Sequence, residues 1–204
     1  MEYSRDMLVP QQFYQLATAA IQPRPIAWIT TVNQAGVVNL APFSFFNVAN
    51  INPPILSVSI IHKPQNQYKD TLLNLKRYPE CVINIVTPSL AEKMNQTSAD
   101  YPETVSELEA VGLEKSPSQD VSVPGVALAP VRFECRVRQI IDFGAAPSGG
   151  HLVLLDVCHI TVADHVLNAN QKLDPAKCLT LGRLGGNGYV TTEHYFEMVR
   201  PINH

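Results

Sequence analysis

Long apolar runs are missing from this 204-residue chain, and none approaches the roughly 18 residues that a membrane-spanning helix needs. Charge is sparse as well. Charged residues make up 16%, the fifteen lysines and arginines are dispersed, and the formal net charge is -3. The clustered cations with which a duplex nucleic-acid binder faces phosphates are therefore absent. The four cysteines, Cys81, Cys135, Cys158 and Cys178, lie far apart without a C-x-x-C pair. That spacing argues against a zinc knuckle and against the disulfide framework of a small secreted domain, and reduced thiols in the cytoplasm are the simpler reading. The opening M-E-Y-S-R-D-M-L-V-P carries two acids and no apolar segment, unlike an ordinary signal peptide.

Several chemical signatures are missing too. His62, His151, His159, His165, His194 and His204 show neither H-x-x-x-H nor H-E-x-x-H spacing, so no metal is expected. No G-x-S-x-G elbow marks a serine nucleophile, and no carboxylates are paired at a useful spacing. The glycine cluster G-R-L-G-G-N-G-Y, 182 to 189, lacks the G-x-G-x-x-G pattern and a surrounding βαβ unit, and reads as a tight loop carrying Arg183.

What is present is 46% hydrophobic residues, enough for a core that buries about 70% of the unfolded surface, and one domain is expected over 1–204. β-Branched segments of period two dominate. I-A-W-I-T-T-V (26 to 32) leads through N-Q-A-G into V-V-N-L-A as a hairpin, and I-L-S-V-S-I-I sends Leu56, Val58 and Ile60 to one face. From Val131 the alternation places Phe133, Cys135 and Val137 opposite Arg132, Glu134, Arg136 and Arg138. The loop 144 to 150 then precedes another long strand beginning at His151.

Short helices interrupt this pattern. K-D-T-L-L-N-L-K-R-Y (69 to 78) is expected to be capped by Asp70 or Thr71 and stopped by Pro79. Ser89 and Glu92 form a capping-box pattern, and 104 to 112 reads as an amphipathic turn or two. S-P-S-Q-D-V-S-V-P (116 to 124) reads as a surface loop. The fold class is mainly β, a β-barrel with short helices, rather than a parallel doubly wound sheet.

Two stretches leave alternatives open on their residues alone. In N-L-A-P-F-S-F-F-N (39 to 47) the phenylalanines either pack a core around a turn or form an aromatic wall for a flat ligand, with Ser44 and Asn47 as polar contacts. The K-D-T start is either an ordinary surface helix end or an anion site built from orphan amides and the Lys69 ammonium.

In order and spacing, P-R-P-I-A-W-I-T-T-V, N-L-A-P-F-S-F-F-N, N-P-P-I-L-S-V-S, K-D-T-L-L-N-L and G-R-L-G-G-N-G-Y resemble the flavin reductase-like family of FMN-binding split barrels, over nearly the whole chain. The resemblance implies a six-stranded Greek-key split barrel that forms a homodimer, with one noncovalent FMN per subunit near the interface. It implies Thr30, Thr31, Ser44, Phe45, Phe46 and Asn47 along the flavin and ribityl region, Ser59 on the adjacent strand, and Lys69, Asp70 and Thr71 on the phosphate. Arg183 would approach the flavin or a neighbouring subunit, and Arg24 would serve the phosphate or the barrel rim. G-G-H at 149 to 151 is similar to the family's G-D-H, with glycine in place of aspartate, which implies His151 as the catalytic group beside nicotinamide or substrate. The implied activity is NAD(P)H:flavin reductase, supplying reduced flavin to a partner monooxygenase. The alternative is a flavoredoxin-like protein that exchanges electrons with a partner protein without turning over NAD(P)H.

Overall fold

The computed structural model describes residues 1–144 and 148–202. Its strands are β1 (Arg24–Pro25), β2 (Ala27–Val32), β3 (Val38–Phe43), β4 (Phe46–Asn50), β5 (Ile55–Ile61), β6 (Glu80–Ile85), β7 (Lys115–Ser116), β8 (Gly125–Val126), β9 (Val131–Asp142), β10 (Gly150–Val162), β11 (Leu181–Arg183) and β12 (Tyr189–Thr191). The α-helices are α1 (Pro10–Ala20), α2 (Asp70–Arg77), α3 (Ala91–Gln96) and α4 (Glu107–Ala110).

The main sheet has seven antiparallel strands in the order β3-β2-β6-β9-β10-β5-β4, where six were expected. The extra strand arises because the aromatic stretch divides. Residues 38–43 pair on one edge of the sheet and 46–50 on the other, with only Ser44 and Phe45 between them. Two edges joined by so short a connection must curl toward each other. At that closure the Ser59 amide donates to the Phe45 carbonyl at 2.8 Å.

Strand alternation sorts the interior. Ala27, Ile29, Leu56, Val58, Ile60, Ile83 and Leu155 fill one core with Leu72 and Leu75 of α2. Trp28 and Leu40 point the other way, into a second core with Met94 of α3 and Leu108 of α4. Because β2 is covered on both faces, I-A-W-I-T-T-V reads as a nearly continuous apolar run. The buried Trp28 indole donates to the Thr97 hydroxyl at 2.9 Å.

Local expectations hold in part. The 33–36 hairpin forms with Gly36 at φ 79, where a glycine is at ease, and Asn33 Oδ1 accepts from the amides of Ala35 and Val37. Helix α2 is capped by Lys69, not by Asp70 or Thr71, and without a side-chain bond. The 89–92 capping box does not form: Pro88–Leu90 is a 3₁₀ turn, and the Ser89 hydroxyl pairs with Thr87 at 3.0 Å. Glu134, assigned to the polar face, is buried because its carboxylate takes amides of the 116–124 loop.

Candidate functional site

A cleft of about 350 Å³ opens where the sheet edges meet. One wall is the Phe43–Phe45 stretch with Tyr14 of α1, and the floor is Ser59 and Ile61 of β5. The far end is the start of α2, and the opposite rim is the 97–101 loop with Glu107.

The aromatic wall is fixed from behind by Arg24. Its guanidinium is buried, donates to the carbonyls of Thr18, Ile21 and Leu184, and reaches Ser44 Oγ at 3.4 Å. It also lies 5.9 Å from the Phe45 ring, whose other neighbour is Tyr14 at 6.3 Å. Arg24 thereby ties α1 and the glycine loop to the wall. Gly182 in that loop is required by close approach, since a Cβ there would sit 2.8 Å from Pro23 Cβ. Phe43 and Phe46 pack against the barrel core, while Phe43 also reaches the cleft.

The α2 end has the makings of an anion site. Leu72 and Leu73 both donate to the Lys69 carbonyl, at 3.0 and 3.1 Å, so the amides of Asp70 and Thr71 lie ahead of the first helical bond. Lys69 lines the cleft, and among the described residues it makes no ion pair. Asp70 is held by Lys63 at 2.9 Å, a bond that raises the lysine above its ordinary value.

Of the other expected site residues, Ser44, Phe45, Ser59, Lys69, Asp70 and Thr71 share this cleft. Thr30 and Thr31 are fully buried behind it, donating to the Val82 carbonyl and accepting from Asn74 Nδ2 at 3.0 Å, respectively. Asn47 is exposed on β4, where its side-chain oxygen accepts from the Val48 amide. Phe46 faces the core, and Arg183 stacks on Tyr189 at 4.5 Å outside the cleft. His151 is 1% exposed and does not line the cleft either. The 144–150 loop before it falls partly outside the described residues, and His204 does so entirely.

Two residues of the cleft carry no local sequence signal. His62 follows β5, lines the cleft and lies against His151, with Nε2 and Nδ1 3.1 Å apart. Glu107 is a buried carboxylate accepting from the Leu40 amide at 2.9 Å, and burial raises its pKa. Asn39 bridges onward: with its nitrogen turned to Glu107 at 3.2 Å, its oxygen accepts from the Thr71 hydroxyl at 3.0 Å. Pairing of His62 with His151 across 89 residues could be seen only once β5 met β10.

Residues 20–177 match the flavin reductase-like domain. The chain belongs to the flavin reductase-like family. Nitrilotriacetate monooxygenase component B from Bacillus cereus is similar at 32% identity and TM-score 0.91, over 97% of this chain and 98% of that one. The 2-nitrobenzoate 2-nitroreductase NbaA of Pseudomonas fluorescens is similar at 30% identity and TM-score 0.88, over 98% and 96%. The uncharacterized protein BH2278 of Halalkalibacterium halodurans is 37% identical over 98% of this chain and 97% of its own length. Membership makes this chain a split-barrel member of a flavin-handling family. Among the described residues no helix is long and apolar enough to cross a membrane, and no three His, Cys, Asp or Glu side chains group as a metal site.

Proposed function

We propose that this chain is a single-domain, cytoplasmic, homodimeric NAD(P)H:flavin reductase that holds FMN in the cleft and passes reducing equivalents to a partner monooxygenase. One observation carries the reading: the aromatic wall at Phe43–Phe45 and the anion end at Lys69–Thr71 line one cleft in a member of this family. A flat ring with a phosphate tail fits these two ends. Among the described residues the chemistry suits the phosphate, with the Asp70 and Thr71 amides ahead of the first helical bond and the Lys69 ammonium outside any ion pair.

When bound, FMN supplies the hydride acceptor. The chain's own work is to bind and orient. Lys69 and the amides of Asp70 and Thr71 would hold the phosphate, while the Thr71 hydroxyl, donating to the Asn39 oxygen, fixes the helix start beside it. Phe45, backed by Arg24 and Tyr14, gives the ring a face, and Ser44 and Ser59 offer hydroxyls to its polar edge. From within the barrel Thr30 ties β2 to β6 and Thr31 anchors Asn74 of α2, and Arg24 braces the rim.

The test is a titration of purified protein with FMN and with riboflavin. Lys69→Ala should weaken FMN by about tenfold, the loss of roughly 1–1.5 kcal/mol of charge-assisted bonding, and riboflavin by much less. Equal weakening of both ligands, or failure of the wild type to bind FMN, overturns this reading of the cleft. NAD(P)H oxidation by the FMN-loaded protein then separates a reductase from a flavoredoxin-like electron carrier.

A further inference from the structure

Two apolar surfaces of this chain stand uncovered, and they begin side by side. Residues 193–202, which follow β12, form no helix or strand, and every one of them is exposed. Among the described residues no hydrogen bond ties this arm to the body beyond Thr192, whose amide and hydroxyl meet the Thr180 carbonyl and amide. The arm is nevertheless apolar. Tyr195 is exposed, and Phe196, Met198, Val199 and Ile202 are each at least 81% exposed. A solvated tail is ordinarily polar, whereas large apolar side chains at this density mark a contact surface.

The second surface is the outer side of α1. Tyr14 and Thr18 turn inward, Tyr14 toward the Phe45 ring and Thr18 into the buried layer. Val9 at the N-cap, Phe13, Leu16 and Ala20 recur at helical spacing along the opposite side, and all four are exposed. The helix carries no charged residue. Its outer stripe therefore has the pattern of a face that another element covers.

The arm starts beside that helix. β12 pairs with β11 and β11 with β1, and the glycine loop between β11 and β12 presses on α1, where a Cβ at Gly185 would lie 3.3 Å from Ala19 Cα. One chain still leaves both surfaces open. A second copy closes both at once, because a two-fold arrangement that lays one arm on the partner's α1 lays the partner's arm on the first.

The area is sufficient for a stable dimer. Aromatic side chains bury roughly 150–250 Å² each, and Met, Val or Ile roughly 60–120 Å². Two arms would thus bury roughly 1,000–1,700 Å² before the stripes beneath them are counted, against about 1,600 Å² for a standard interface.

We infer that residues 193–202 cross to a second copy of this chain and pack Phe196 and Met198 on the outer stripe of the partner's α1. The inference rests on the homodimer reading and specifies the contact that holds the dimer together. Because Tyr14 of the same helix lines the cleft, each arm then backs the wall of the other subunit's site.

Two experiments on the full chain test it. With photoreactive p-benzoylphenylalanine in place of Phe196, irradiation should give a covalent dimer, and mass spectrometry should map its crosslinks to residues 9–21 of the second copy. Phe196→Asp combined with Met198→Asp should raise the dimer dissociation constant on the order of 10²-fold, read by analytical ultracentrifugation. Circular dichroism should not change, since both side chains are exposed in the single chain. Failure to form a covalent dimer, or crosslinks mapped elsewhere on the second copy, overturns the arm exchange, and so does a double variant that dimerises as tightly as wild type. In each of those cases a dimeric wild type keeps the homodimer reading. A monomeric wild type overturns the homodimer reading and the arm exchange with it.

Discussion

At the scale of single residues, the helix start at 69–71 was legible and its neighbours in the cleft were not. Lys69 and Thr71 sit at a helix start, a local feature that a few adjacent residues specify. Glu107 becomes a cleft residue only because α4 packs on β3 and presents it to Leu40, 67 residues away in sequence. That contact gives a stability prediction. Glu107→Leu strands the buried Leu40 amide and should cost about 1–3 kcal/mol, or roughly 2–4 °C in Tm per kcal/mol for a chain of this size. Glu107→Gln keeps an acceptor and removes a carboxyl whose pKa burial has raised, so at neutral pH it should lie close to or above wild type. Thermal unfolding followed by circular dichroism separates the two, and equal losses would show that the amide bond is not the cause.

His151 gives a second residue-scale prediction, with a defined sign. Burial, and then Lys76, holds its imidazole below the ordinary value of 6.5, so the unfolded chain takes up the proton at higher pH than the folded chain does. Its stability contribution is complete above that value and is lost as pH falls from there toward the folded pKa. Tm should therefore decline between about pH 7 and pH 5, and the decline should be shallower in His151→Gln. Parallel curves for the two proteins would remove His151 as the source.

At the scale of elements, alternation read strands well and buried exceptions poorly. Leu56, Val58 and Ile60 of β5 are buried as their period requires. Glu134 follows the same period on β9 yet is buried, because a distant loop brings amides to it. Its carboxylate accepts from Gln119, Asp120 and Val121 at 2.7 to 3.3 Å. The 116–124 loop is thus clamped to the sheet, which no local pattern could show. Glu134→Ala releases three amide bonds to a charged acceptor and should cost about 3 kcal/mol or more. Proteolysis within 116–124 should accelerate in that variant before the rest of the chain becomes susceptible. Unchanged cleavage there would show that Val121 and Val123, both buried, hold the loop by packing alone.

At the scale of the whole molecule, a barrel was legible in the succession of strands, but its order β3-β2-β6-β9-β10-β5-β4 was hidden because it joins segments scattered through the sequence. The same order leaves β4 as an edge strand, with Val48 56% and neighbouring Ile51 81% exposed. An uncovered apolar edge is a surface that natural proteins cover. Phe13 of α1 is 62% exposed, and α1 adjoins the same region through Tyr14, Phe45 and Arg24. The proposed homodimer would bury this surface beside the cleft, so association and flavin binding should fail together. Val48→Asp combined with Phe13→Asp should give a monomer by light scattering at micromolar concentration and weaken FMN, while Leu128→Asp, exposed elsewhere at 63%, should do neither. A double variant that stays dimeric would place the interface on another face. One that becomes monomeric but keeps its FMN affinity would show that the cleft is complete within one chain.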